Sequence, residues 1–199
     1  VVYNEMKGAF SSPDEVLERE IMNHLFPDTT YGCESGGDPK NIPDLTYENF
    51  LNFHRTYYHP SNSYIYLYGD MDMEERLQWM DEEYLSHYDR ITVDSEIPLQ
   101  PAFDAPREFV KEYPLPEGDS EDGKFWFARQ WVVGENTDPV LRTAFQVLEY
   151  ALLGFQGAPL KQALLDAGIG GDVMGGYQNY QRQPYFDVVV KDTDANRKA

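Results

Sequence analysis

Residues 124–191 read KFWFARQWVVGENTDPVLRTAFQVLEYALLGFQGAPLKQALLDAGIGGDVMGGYQNYQRQPYFDVVVK. Lys124–Val133 is a strand-like run. Asp138 with Pro139 begins a long helix that continues through Leu153 and is ended by Gly154. Pro159 begins a shorter helix that stops at Gly168. Gly168, Gly170, Gly171, Gly175 and Gly176 then punctuate a stretch read as turns, and Tyr185–Lys191 has the look of a buried strand. Strands and helices mix here without the regular alternation of a doubly wound sheet. The expected class is therefore α+β with mainly antiparallel sheets.

Working back from this stretch, Arg107–Tyr113 is another strand-like run, separated from the first by the polar turn Glu117–Gly123. Between Asp89 and Pro106 periodicity disappears while Pro98, Pro101 and Pro106 appear, which marks an interdomain linker. Ser63–Gly69 alternates Tyr64, Tyr66 and Tyr68 against Ile65 and Leu67, the two-residue period of a strand. Thr46 caps a helix with an aromatic stripe of Phe50, Phe53 and Tyr57, read as core. Asp72 and Glu75 form a capping pair for a helix whose Met73, Leu77, Met80 and Tyr84 face inward. Ser12, Pro13 and Glu15 open an earlier helix as a capping box, with Leu17, Ile21 and Leu25 on one face and Pro27 as its stop. Residues 28–45 are a polar loop, and residues 1–10 are the end of a helix interrupted near Gly8. Two halves of similar size fit this pattern better than one domain.

Composition limits the function classes. The chain has 199 residues, 41% hydrophobic and 15% aromatic, which suits a packed core and not a disordered chain. Fifteen tyrosines suit half-buried surfaces in a larger assembly, or simply a tyrosine-rich surface. A net charge of −19 argues against nucleic-acid binding, because no basic stripe exists to displace counterions from phosphates. It serves solubility, or steers basic peptides towards the protein. Cys33 is the only cysteine, so neither an internal disulfide nor a cysteine-based zinc site is available. No apolar run nears the roughly 20 residues that span a membrane. Val1 at one end and Arg197-Lys198-Ala199 at the other both look like cuts inside a longer protein.

No self-contained catalytic motif is present. The glycines at 168–176 fit neither a dinucleotide fingerprint nor a phosphate loop, and no Gly-x-Ser-x-Gly elbow occurs. Two metal-binding histidines on one helix sit four apart, whereas His54 and His59 are five apart and His24 and His87 stand alone. All four read as surface or structural histidines. On the residues alone, Glu5 is one helix carboxylate among many.

The segment Val-Val-Tyr-Asn-Glu-Met-Lys-Gly-Ala-Phe at 1–10 resembles the one that carries the distal zinc ligand in the presequence-protease branch of the pitrilysin-like, inverted-motif zinc metallopeptidases. The likeness continues through Leu25-Phe26-Pro27, Ser35-Gly36-Gly37-Asp38-Pro39, Tyr58-His59-Pro60-Ser61-Asn62 and Tyr68-Gly69. It persists more loosely at Pro159-Leu160, Ala163-Leu164-Leu165 and Gly168. The resemblance implies two metallopeptidase-like α/β sandwich domains, both incomplete, with helices packed on one face of mainly antiparallel sheets. It implies that 1–90 is the C-terminal part of the catalytic domain, 91–106 the linker, and 107–199 the N-terminal part of a second, non-catalytic domain. By the same resemblance Glu5 is the third protein ligand of a catalytic Zn2+, whose open position activates water for attack on a peptide carbonyl.

The two histidines and general-base glutamate of the family's His-x-x-Glu-His helix do not occur in these 199 residues. The expectation is thus an inactive piece that binds no stoichiometric zinc and contains no catalytic residue of its own. Its parent would degrade unstructured oligopeptides inside a closed chamber, with the missing N- and C-terminal domains as partners and neither nucleic acid nor membrane involved. A bacterial cytoplasm is the expected location, a mitochondrial or plastid matrix the alternative. The rival reading is a non-catalytic structural or partner subunit of the same fold.

Overall fold

The computed structural model describes residues 1–197. In chain order its helices are α1 (Val2–Ala9), α2 (Pro13–Leu25), α3 (Tyr47–Tyr57), α4 (Met73–Glu83), α5 (Pro139–Leu152) and α6 (Pro159–Asp166). Its strands are β1 (Phe125–Val132), β2 (Asp172–Gln178) and β3 (Tyr185–Thr193). Val1–Gly37 and Ile97–Ala199 together make one compact unit, and Asp38–Glu96 makes another. Among the described residues no helix is long and apolar enough to cross a membrane.

The first unit is built around β3, whose sequence Tyr-Phe-Asp-Val-Val-Val is rich in residues that pack well on a pleated surface. β3 lies between β1 and β2 and pairs antiparallel with both, so that Val190 stands opposite Phe127 on one side and Val173 on the other. Phe186, Val188 and Val190, spaced by two, share a core with Val173, Tyr177, Phe145 of α5 and Leu160 and Leu164 of α6. Tyr185, of opposite parity, packs with Ile21 of α2 and with Phe26. The central strand is therefore covered on both sides, and the fold is α+β with an antiparallel sheet, as its sequence suggested.

Most helix starts follow their capping residues. Asp138 Oδ1 accepts from the backbone N–H of Val140 and Leu141 at 3.0 and 2.9 Å, with Pro139 in the first turn where its missing N–H costs nothing. Asp72 Oδ1 accepts from Glu75 N–H at 3.1 Å. Thr46 and Asn49 form a full reciprocal capping box. Ser12 differs: it occupies the cap position of α2, but its side chain makes no cap hydrogen bond, so the expected box with Glu15 does not form. α1 stops at Ala9, next to Gly8, where the sequence suggested a break.

Three sequence expectations about strands are corrected. The glycines of 172–178 belong to β2, where they allow close approach: a Cβ on Gly175 would fall deep inside the Asp187 carbonyl oxygen, and one on Gly176 would meet the Glu149 carboxylate at 2.8 Å. Arg107–Tyr113 is not a strand; it is docked on α2 by side chains, with Phe109 stacked on His24 at 3.7 Å and Lys111 Nζ 2.7 Å from Glu20 Oε1. Ser63–Gly69 forms no strand and has no ladder partner among the described residues.

The unit 38–96 holds α3 and α4 and contains no buried residue. Phe50 and Phe53 of the aromatic stripe are 68% and 59% exposed, and Met73, Leu77 and Tyr84 of α4 are exposed as well, so neither face is core within this chain. The amphipathic pattern is present, but nothing among the described residues buries it.

Candidate metal ligand

Glu5 lies in the first turn of α1, where a carboxylate complements the positive end of the helix dipole. Its side chain is exposed and forms no ion pair with a described residue. Two neighbours fix the helix that carries it. The Met6 thioether lies where a side chain on Gly36 would be, with Sδ 2.5 Å from a Cβ placed there, so Met6 of α1 packs directly on the 33–37 loop. Just past the helix, the guanidinium of Arg19 lies 3.9 Å from the ring centroid of Phe10, which ties the end of α1 to α2. The sequence marked Gly36 and the 1–10 segment separately, but not the contact between Met6 and Gly36 or the role of Arg19.

The four histidines have other roles. His24 Nδ1 is 2.7 Å from the Glu20 carbonyl oxygen, and its ring is covered by Phe109. His54 stacks on Tyr58 at 4.7 Å. His59 Nδ1 accepts from Ser61 N–H at 3.1 Å and caps the turn Pro60–Asn62, and His87 ends the short turn Leu85–His87. A zinc site needs about three protein ligands around one point. Among the described residues no group of three His, Cys, Asp or Glu side chains is placed to hold a metal ion. The residues present do not fit a zinc site; Glu5 offers one arm at most.

Electrostatics elsewhere in the unit is strongly acidic. A hollow of about 330 Å³ is lined by Glu15, Glu18, Arg19, Tyr31, Cys33 and Glu34 among others. Burial, reinforced by the charges of Glu15, Glu34 and Asp187, lifts the Glu18 carboxyl above its ordinary range. Burial also works against the charge of Glu20, but the hydrogen bond and charge of Lys111, helped by Arg19, win and hold that carboxyl below its ordinary range. Glu20 is thus a structural anchor for the 107–113 segment. Cys33 is an exposed free thiol.

Comparison with known proteins places this geometry in a family. Residues 44–199 match the family described as the peptidase M16 inactive domain. Protein HypA of Clostridium perfringens is 47% identical over 198 residues, covering 100% of this chain and 20% of the relative. Presequence protease 1, chloroplastic/mitochondrial, of Arabidopsis thaliana is 39% identical over 96% of the chain and 18% of its own length. The mouse mitochondrial presequence protease is 36% identical, with 94% and 18% covered. The chain therefore spans about a fifth of the length of these relatives. In fold it is similar to a putative M16-like peptidase from Alicyclobacillus acidocaldarius, with a TM-score of 0.64 at 20% identity, over 96% of this chain and 45% of that one. A match over residues 44–199 is most of the chain: it belongs to the peptidase M16 family.

Proposed function

We propose that these residues are an internal part of a zinc-dependent endopeptidase that degrades unstructured oligopeptides inside a closed chamber, and that Glu5 is its third protein ligand to zinc. The observation that carries this reading is the setting of Glu5. It stands within Asn4-Glu5-Met6-Lys7 on an exposed helix, unpaired with any described residue, while the adjacent Met6 anchors that helix against Gly36. A carboxylate held in place but left without a partner is suited to a ligand supplied from elsewhere in the polypeptide. Presequence proteases at 39% and 36% identity support the substrate class. In this reading 1–90 closes the catalytic domain, 91–106 is the linker and 107–199 opens a non-catalytic domain. The remaining domains of the same polypeptide are its partners. The location proposed is a bacterial cytoplasm, with an organellar matrix as the alternative; the relatives include a bacterial protein and mitochondrial ones.

By itself the chain would cleave nothing, since the His-x-x-Glu-His helix is absent from its sequence. The test is Glu5→Ala in the full-length protein: zinc content and peptide hydrolysis should fall together, by at least the 10- to 100-fold typical of losses at a metal site's supporting groups. If both survive, Glu5 is a helix residue and the reading is wrong. One observation favours the second reading, a non-catalytic partner subunit: the family match over 44–199 is to an inactive domain. Absence of His-x-x-Glu-His from the full-length sequence would decide for it.

A further inference from the structure

α1 is a helix of eight residues that buries none of them. A helix this short is marginal in water on its own hydrogen bonds, so contacts with the rest of its unit have to hold it. Just past the helix end, Arg19 of α2 covers the ring of Phe10. Within the helix, Met6 lies on the loop 33–37, its Sδ and Cε 2.5 and 2.7 Å from where a Cβ on Gly36 would stand. The first contact ties down the turn after α1. The second is made from the helix itself.

The surroundings of the Met6 sulfur suit a thioether and nothing more polar. Gly36 presents bare backbone, and its N–H already donates to Glu34 Oε1 at 3.3 Å. The Gly37 N–H donates to the Glu34 carbonyl oxygen at 3.1 Å. An oxygen added to the sulfur would thus meet no spare donor at Gly36 or Gly37, and would meet the negative charge of Glu34 beside them. Small oxidants can reach this contact. Met6 is half-buried, and Cys33, Ser35 and Gly36 of the facing loop are exposed.

We propose that Met6 is an oxidation-sensitive fastener of α1, released when hydrogen peroxide converts its thioether to the sulfoxide. The sulfur lone pair attacks one peroxide oxygen and the O–O bond breaks. The leaving hydroxide takes the proton of the transferred oxygen, so that methionine sulfoxide and water result; sulfur gives up two electrons and the peroxide gains them. The new S=O group is polar and finds no hydrogen bond on the loop, so the side chain turns out to water. α1 is then left without its own hold on the 33–37 loop and frays, carrying Glu5 with it. A thiol-driven sulfoxide reductase reverses the step. The inference rests on the contact between Met6 and Gly36, and it does not require Glu5 to hold a metal.

Hydrogen exchange on the full-length protein before and after peroxide tests it, with peptide mass locating each added oxygen. Once Met6 is oxidised, the amides of Met6–Ala9 should exchange about tenfold faster, while those of Leu17–Leu25 in α2 keep their rates. Methionine sulfoxide reductases with a thiol should restore the first set. Met6→Leu keeps an apolar side chain of similar volume that peroxide does not oxidise, and its α1 should not respond. Cys33→Ser should respond as the unmodified protein does. Unchanged α1 exchange at full Met6 oxidation overturns the proposal. So does a Met6 that stays reduced while the exposed Met71, Met73 and Met174 are oxidised. A response that persists in Met6→Leu, or vanishes in Cys33→Ser, assigns the effect to another sulfur and overturns it as well.

Discussion

Asp187 is a carboxylate near the start of β3, 7% exposed, that accepts from Gly176 N–H at 3.0 Å and from Gln178 Nε2 at 3.3 Å. Burial outweighs these two hydrogen bonds and raises its carboxyl above the ordinary range. The folded state then binds a proton more readily than the unfolded chain. Its ionised form costs stability at neutral pH, and this cost is relieved as pH falls through the raised value. Glu20 acts in the opposite sense: its lowered carboxyl contributes stability above the unfolded value, lost as pH falls through the folded one. Mild acid should therefore stabilise this unit before stronger acid unfolds it. Asp187→Asn keeps an acceptor for Gly176 and removes the charge. It should raise stability at neutral pH and shrink the gain in mild acid to the part that Glu18 supplies, as read by thermal unfolding across pH. A loss of stability at neutral pH with the acid gain intact would mean that Gly176 and Gln178 already compensate the charge. Residues with local jobs, such as Thr46, Asp72 and Asp138, were legible in the sequence because a cap needs only its own next three residues. Asp187 and Glu20 were not, because their partners lie across the fold.

Elements were legible to the degree that they satisfy themselves. Helices close their own hydrogen bonds, so caps and breakers delimited α2, α3, α4, α5 and α6 closely. Strands depend on a neighbour. Gly175 and Gly176 hid β2 because glycine there serves close packing, not turning. Residues 107–113 have strand composition but take no ladder partner. The segment expected to be a linker is anchored at Gln100. Gln100 is buried, with its Oε1 accepting from Asp28 N–H at 2.9 Å and its Nε2 donating to Asp28 Oδ2 at 2.6 Å. Its backbone N–H donates to Gln183 Oε1 at 2.6 Å, and its carbonyl accepts from Gln183 Nε2 at 3.2 Å. One side chain thus joins the loop after α2 to the segment before β1, with Gln183 of the β2–β3 connection alongside. Gln100→Ala should cost on the order of 2 kcal/mol, because it leaves Asp28 groups without partners. Chemical denaturation should show this as a lower midpoint with an unchanged slope. No change would mean that water replaces the clasp fully.

At the scale of the whole molecule, the two units differ in what holds them. The first buries Phe26, Val173, Tyr185, Phe186, Val189 and Val190 on either side of β3. The second buries nothing, although ordering each residue costs roughly 1–2 kcal/mol of backbone entropy. Its helices have caps, but isolated helices this short are marginal without a packed face. The candidate site shows the same dependence. Glu5 reads as one helix carboxylate because no group of three ligating side chains forms around it among the described residues. It follows that these 199 residues, produced alone, should open selectively. Limited chymotrypsin digestion should cut first at exposed aromatic positions between 38 and 96, such as Phe50, Phe53, Tyr64 and Tyr66. The piece containing β1, α5, α6, β2 and β3 should survive much longer, with the piece carrying α2 still bound to it through Ile21 and Phe26. Cleavage follows the population of the open form when opening and closing are fast, so the ratio of the two cutting rates reports the difference in local stability. Equal rates in the two units would mean that the aromatic residues of 38–96 find a core within this chain after all. On the proposed reading, the same bonds should resist in a full-length protein that supplies the missing domains.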